Sequence, residues 1–141
     1  MSSGFADRLA SVHESIRAAA LRAGRDPGAV RMMAVTKTFP RTVVEEALAA
    51  GQVLFGENRV AEAAAKYAGL ASACELHLIG HLQRNKAAAA AGLFACVQSI
   101  DKAETAEALA RHCAAIGSRP ISSGRSRSMT RCASRLASGS R

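Results

Sequence analysis

The chain has 141 residues, enough for one domain whose core removes roughly two-thirds of the unfolded surface from water. Hydrophobic residues make up 49%, with no long apolar span and no charged-then-apolar leader, so the expectation is a soluble cytoplasmic protein without a Sec signal or membrane contact. The formal net charge of +8 is unevenly placed: six of the 19 basic residues lie from Arg119 onward, where there is no acid, leaving 13 basic against 11 acidic in residues 1–118. A near-neutral body argues against specific nucleic-acid binding by the folded part.

Residues 4–24 read as an amphipathic helix, with Phe5, Leu9, Val12, Ile16 and Ala19 at spacings of three and four. Gly24 is its stop, and Asp26-Pro27-Gly28 is a turn. The apolar run over 30–36 is a strand, and Lys37 stands at its C-terminal mouth. Thr42 and Glu45 have capping-box spacing, which predicts a helix running to Gly51. A second strand over 53–55 leads into Gly56-Glu57-Asn58 and a helix over about 59–68. Residues 75–80 form the third strand, 83–91 an alanine-rich helix, and 94–100 the fourth strand. Asp101 and Glu104 repeat the capping-box spacing, opening a helix that Gly117 ends.

The pattern is one helix followed by four βα units, which predicts a parallel sheet. A closed eight-stranded barrel usually needs about 200 residues or more, so four units are either half of one or a small open α/β domain. From Ile121 the apolar period disappears, and serine and arginine dominate to Arg141. Residues 119–141 are expected to be a disordered basic tail, because such a composition cannot offset its ordering entropy.

The candidate chemistry sits at strand ends. At the mouth of a parallel strand the Lys37 amine is expected to be partly desolvated, which favours its neutral, nucleophilic form. The alternative is a solvated lysine in a loop. Asn58 follows the second strand and either orients a ligand or caps the next helix. His77 lies opposite Leu76 and Leu78 on the third strand, facing a ligand or satisfied by neighbouring side chains. The loop from Gly80 to Lys86 either attracts an anion or is a helix start with a solvated charged face. Cys74, Cys96, Cys113 and Cys132 are too widely spaced for a zinc or disulfide framework, so reduced thiols and no metal site are expected.

Three segments, Ala34-Val35-Thr36-Lys37-Thr38, Phe55-Gly56-Glu57-Asn58 and His77 through Lys86, together with Val97-Gln98-Ser99-Ile100-Asp101, resemble the pyridoxal phosphate homeostasis protein family. These proteins are similar to the N-terminal barrel domain of alanine racemases. The match covers roughly residues 5–118. The resemblance implies the N-terminal half of a (β/α)8 barrel of TIM type holding pyridoxal 5′-phosphate. Lys37 then forms the Schiff base, with Asn58 and His77 near the cofactor. It also implies a carrier role in vitamin B6 balance, without catalytic turnover and with no catalytic residue to assign.

The family continues with a fifth strand and further βα units where this chain turns to serine and arginine. The expectation is therefore a truncation or frameshift near Arg119, loss of the late-strand loops that cradle phosphate in such barrels, and self-association through exposed barrel edges. Two other readings stay open: a racemase-like enzyme that uses the same lysine, and nucleic-acid binding through the arginine tail.

Overall fold

The structure is a computed structural model that describes residues 4–70 and 72–117, and the backbone of Ile121–Ser122. Its elements are α1 (Phe5–Arg22), β1 (Ala34–Val35), α2 (Arg41–Ala49), β2 (Leu54–Glu57), α3 (Val60–Lys66), β3 (Glu75–Leu78), α4 (Ala87–Leu93), β4 (Cys96–Val97), α5 (Ala103–Ala115) and β5 (Ile121–Ser122). Short 3-10 turns occupy Pro27–Ala29 and Arg84–Lys86.

The strands pair in parallel in the order β1-β2-β3-β4-β5. Strands added in sequence order, with crossovers of one hand, put every connecting helix on the same face of the sheet. The core agrees. Phe55, Leu76, Leu78 and Val97 of the strands are buried together with Val44 and Ala47 of α2, Ala63 of α3, Ala87 and Ala90 of α4, and Ala108 and Leu109 of α5. Alanines dominate the helix faces, so the helices approach the sheet closely. Phe55 and Tyr67 meet edge to face, with ring centroids 5.8 Å apart. The other face carries the row Val35, Gly56, His77, Cys96, in which each residue is registered against the next. Val35 is 44% exposed there.

Several expectations need correction. The first strand is two residues rather than seven, because only Ala34 and Val35 find partners, in Phe55 and Gly56. Neither capping box forms. α2 begins after Pro40, which has no side-chain donor or acceptor, and Glu45 instead pairs with Arg41 at 2.8 Å. α5 begins after Lys102 without a side-chain cap, and the Asp101 carboxylate lies 3.6 Å from His81 Nδ1. The buried edge of α1 ends on Ala20, while Val12 and Leu21 stay about half exposed, because among the described residues α1 leans mainly on α2 and the Pro27–Ala29 turn. Gly24 and Gly117 do stop their helices, each at φ +65°.

The tail expected to be disordered from residue 119 contains β5. Ile121 registers against Cys96 and Ser122 against Val97, so the far edge of the sheet is β5, not β4. The backbone pairs there because the free edge of β4 offers unpaired N–H and C=O groups, whatever the side chains. The rest of that tail, Cys132 included, lies outside the described residues.

Candidate functional site

β1 ends in a tight turn. The Thr36 carbonyl accepts from Phe39 N–H at 3.1 Å, so Lys37 and Thr38 are the turn's two central residues. Thr38 has φ +69°, in the left-handed region that a β-branched residue rarely occupies. Lys37 is exposed, and its side chain makes no hydrogen bond or ion pair among the described residues. The expected desolvation is therefore not found: in this turn the Lys37 side chain is open to solvent.

Beneath the turn lies a buried polar network. Lys66, at the C-terminal end of α3, spends its three N–H groups on Thr36 O at 2.7 Å, Glu57 Oε1 at 2.8 Å and Glu62 Oε1 at 3.3 Å. Glu57 is fully buried at the end of β2 and also accepts from Thr36 Oγ1 at 2.7 Å. With the Thr36 hydrogen committed to the carboxylate, the Tyr67 phenol donates to Thr36 Oγ1 at 2.6 Å. Burial pushes the Tyr67 phenol well above its ordinary range. Glu57 Oε2 is buried without a partner among the described residues. The amide of Thr38 donates to Glu62 Oε1 at 3.2 Å. That bond, and then the Lys66 ammonium, lower the pKa of Glu62.

Asn58 is half-buried at the end of β2 and caps nothing; α3 starts after Arg59 without a side-chain cap. Its backbone lies flat against Gly80. His77 is buried, with Nε2 2.8 Å from Glu75 Oε1 and Nδ1 3.0 Å from Gln98 Nε2. The Gln98 amide donates, so Nδ1 accepts and Nε2 carries the hydrogen given to Glu75. Glu75 is also gripped by Arg31, at 2.6 Å and 3.2 Å. Arg31 first, and His77 second, bring the Glu75 carboxyl down to about 2.

Lys37 and Asn58 thus stand at the C-terminal ends of adjacent strands, with His77 within the third, and no hydrogen bond joins the three among the described residues. What is joined are the motif segments: Glu57 to Thr36, Gln98 to His77, and Ser99 Oγ, which donates to Gly80 O. Gln83, Arg84 and Asn85 face elsewhere, lining a shallow groove of about 600 Å³ with Ala108, Arg111 and His112. Among the described residues no three His, Cys, Asp or Glu side chains cluster as a metal site. Sequence reading missed Thr36, Glu57, Glu62, Lys66 and Tyr67; the i, i+4 spacing of Glu62 and Lys66 was the one available signal.

No model of a known protein family matches the chain. Over 108 residues it is 44% identical to the pyridoxal phosphate homeostasis protein of Pseudomonas aeruginosa, covering 76% of this chain and 47% of that relative. It is a homologue of the pyridoxal phosphate homeostasis proteins. The Escherichia coli protein of that name is 40% identical over 109 residues, covering 74% of this chain and 47% of that one. PipY of Synechococcus elongatus, solved with pyridoxal phosphate bound, matches with a TM-score of 0.66 at 41% identity, over 81% of this chain and 50% of that one. Its form without the cofactor gives a TM-score of 0.69 at 40% identity, over 84% and 52%. The described fold is thus the partial barrel expected from the sequence. The chain spans about half the length of the pyridoxal phosphate homeostasis proteins it matches. Their names describe homeostasis rather than a catalysed reaction.

Proposed function

We propose that this chain binds pyridoxal 5′-phosphate through Lys37 and serves its intracellular homeostasis as a carrier rather than as an enzyme. One observation carries the assignment: Lys37 is an exposed primary amine without a partner among the described residues, on a fixed turn at a parallel strand's C-terminal end. Such an amine fits the cofactor's aldehyde. Lys66 does not, because all three of its N–H groups are spent in a buried ion-pair network. When bound, the cofactor supplies an electrophilic carbonyl that condenses with an amine.

Asn58, on the neighbouring strand end, offers an amide to orient the ring. His77, within the third strand and fixed by Glu75 and Gln98, is the third residue of this reading, near the cofactor. The unit responsible is residues 1–118. We place it in the cytoplasm without membrane contact or specific nucleic-acid binding; among the described residues no helix is long and apolar enough to cross a membrane. Self-association through the β1 and β5 edges belongs to the same reading.

The test is to incubate the chain with pyridoxal phosphate, trap with borohydride and locate the added mass. The adduct is expected on Lys37 and lost in Lys37→Ala, with the melting temperature unchanged because the side chain is exposed. Equal total labelling in Lys37→Ala, moved to Lys86, overturns the assignment. Lys37-dependent exchange of the α-proton of alanine would restore the racemase-like reading.

A further inference from the structure

Both peptide groups that flank the Lys37 Cα are held by one pair of side chains on α3. The peptide before it, Thr36–Lys37, has its carbonyl on Lys66 Nζ at 2.7 Å. The peptide after it, Lys37–Thr38, has its N–H on Glu62 Oε1 at 3.2 Å. Glu62 and Lys66 are four residues apart and bonded to each other at 3.3 Å. The end of α3 is itself tied down, because Arg41 Nη1 donates to the carbonyls of Ala68 at 2.6 Å and Lys66 at 3.3 Å.

From this geometry we infer that Glu62 and Lys66 are positioning residues for Lys37, clamping its backbone from below while leaving its amine free. The inference rests on the reading of Lys37 as the attachment amine. The clamp has something to hold against. A β-branched residue at φ +69° is strained, and the strain would relax by rotating the Lys37–Thr38 peptide. That rotation breaks the Thr38–Glu62 hydrogen bond and changes the Lys37 ψ angle, so the turn that carries the amine is no longer held in one geometry. Lys66 serves the other side twice over, holding the Thr36 carbonyl and also Glu62. A lysine one helical turn from an acid is usually a solvated pair of little consequence. Here Lys66 is 8% exposed, and its ammonium is bonded to Thr36 O, Glu57 and Glu62.

Glu62→Ala is the variant of choice, because Glu62 is half-exposed and its loss leaves the buried Glu57–Lys66 pair intact. Two readouts are taken on the full chain. The first, without any cofactor, is hydrogen exchange at the Thr38 amide, expected to speed up by roughly tenfold, the equivalent of one lost charge-assisted hydrogen bond. Amides of β2 and β3 should exchange as before. The second is trapped pyridoxal phosphate on Lys37 relative to Lys86 and Lys102 in the same sample, expected to fall several-fold. Adding Thr38→Gly to Glu62→Ala removes the strain without restoring the bond. Lys37 labelling should recover while the amide at position 38 stays fast. Unchanged exchange at Thr38, a fall at Lys37 matched by Lys86 and Lys102, or no recovery with glycine each overturns the clamp. If the unsubstituted chain labels Lys37 no more than Lys86, the function reading fails instead, and the exchange arm still decides the clamp.

Discussion

Gly80 lies against the backbone of Asn58, with no room for a side chain between them: a Cβ at position 80 would stand 2.7 Å from Asn58 Cα and overlap the Asn58 carbonyl. The two loops that leave β2 and β3 are therefore in backbone contact, locked by Ile79 N–H to Glu57 O at 2.8 Å, and Ser99 Oγ after β4 holds Gly80 O from the other side. Gly80→Ala is expected to cost about 1–3 kcal/mol, the usual range for forced overpacking. Urea unfolding measures it. A neutral substitution would mean that the loops part freely.

The Glu57–Lys66 pair makes a sharper thermodynamic prediction. Both side chains are buried, at 0% and 8% exposure, and Glu57 already has one oxygen without a partner. Lys66→Met should cost about 3–5 kcal/mol, since it strands a buried carboxylate. The double variant Lys66→Met with Glu57→Met should be markedly more stable than Lys66→Met alone, because two apolar groups replace two desolvated charges. A double variant no more stable than Lys66→Met would show that the carboxylate is not the source of the penalty.

Thr36 is the hinge of the hydrogen-bond relay from Tyr67 to Glu57. Thr36→Val keeps the shape and removes the hydroxyl, leaving the phenol and the carboxylate each short of a partner. A loss of about 1–3 kcal/mol is expected, read from the urea midpoint. Tyr67→Phe in the same background should then recover part of it.

Acid should weaken the β3 region through Glu75. Arg31 and His77 hold its folded pKa near 2, below that of the unfolded chain. A carboxyl shifted down contributes stability that is present above its unfolded pKa, about 4.3, and is lost as pH falls toward about 2. Stability should thus drop between about pH 5 and pH 2, and drop less in Arg31→Gln, whose Glu75 lacks its main partner. Parallel pH profiles for the two proteins would count against the shift.

The element order was readable because strand and helix periods differ, and the four βα units stand where the sequence puts them. Strand lengths were not readable: 30–36 looks like one apolar run, yet pairing requires a neighbour, and only Ala34 and Val35 have one. Thr42 and Asp101 have the spacing of caps, but the chain enters each helix from Pro40 and Lys102, out of reach of the needed geometry. Lys37 is exposed rather than desolvated, since exposure depends on what covers a face and not on the run that precedes it. The network beneath it was invisible because Thr36 meets Glu57 and Tyr67 across 21 and 31 residues of chain. No local spacing announces such a meeting.

The strand order 1-2-3-4-5 also governs assembly. Each strand pairs with the one that precedes it in the chain, so no pairing waits for a distant segment and every closure spans a single helix. The entropy of each closure is correspondingly modest, and the sheet lengthens at one growing edge. Synthesis on a ribosome presents the pieces in that same direction, from β1 toward β5.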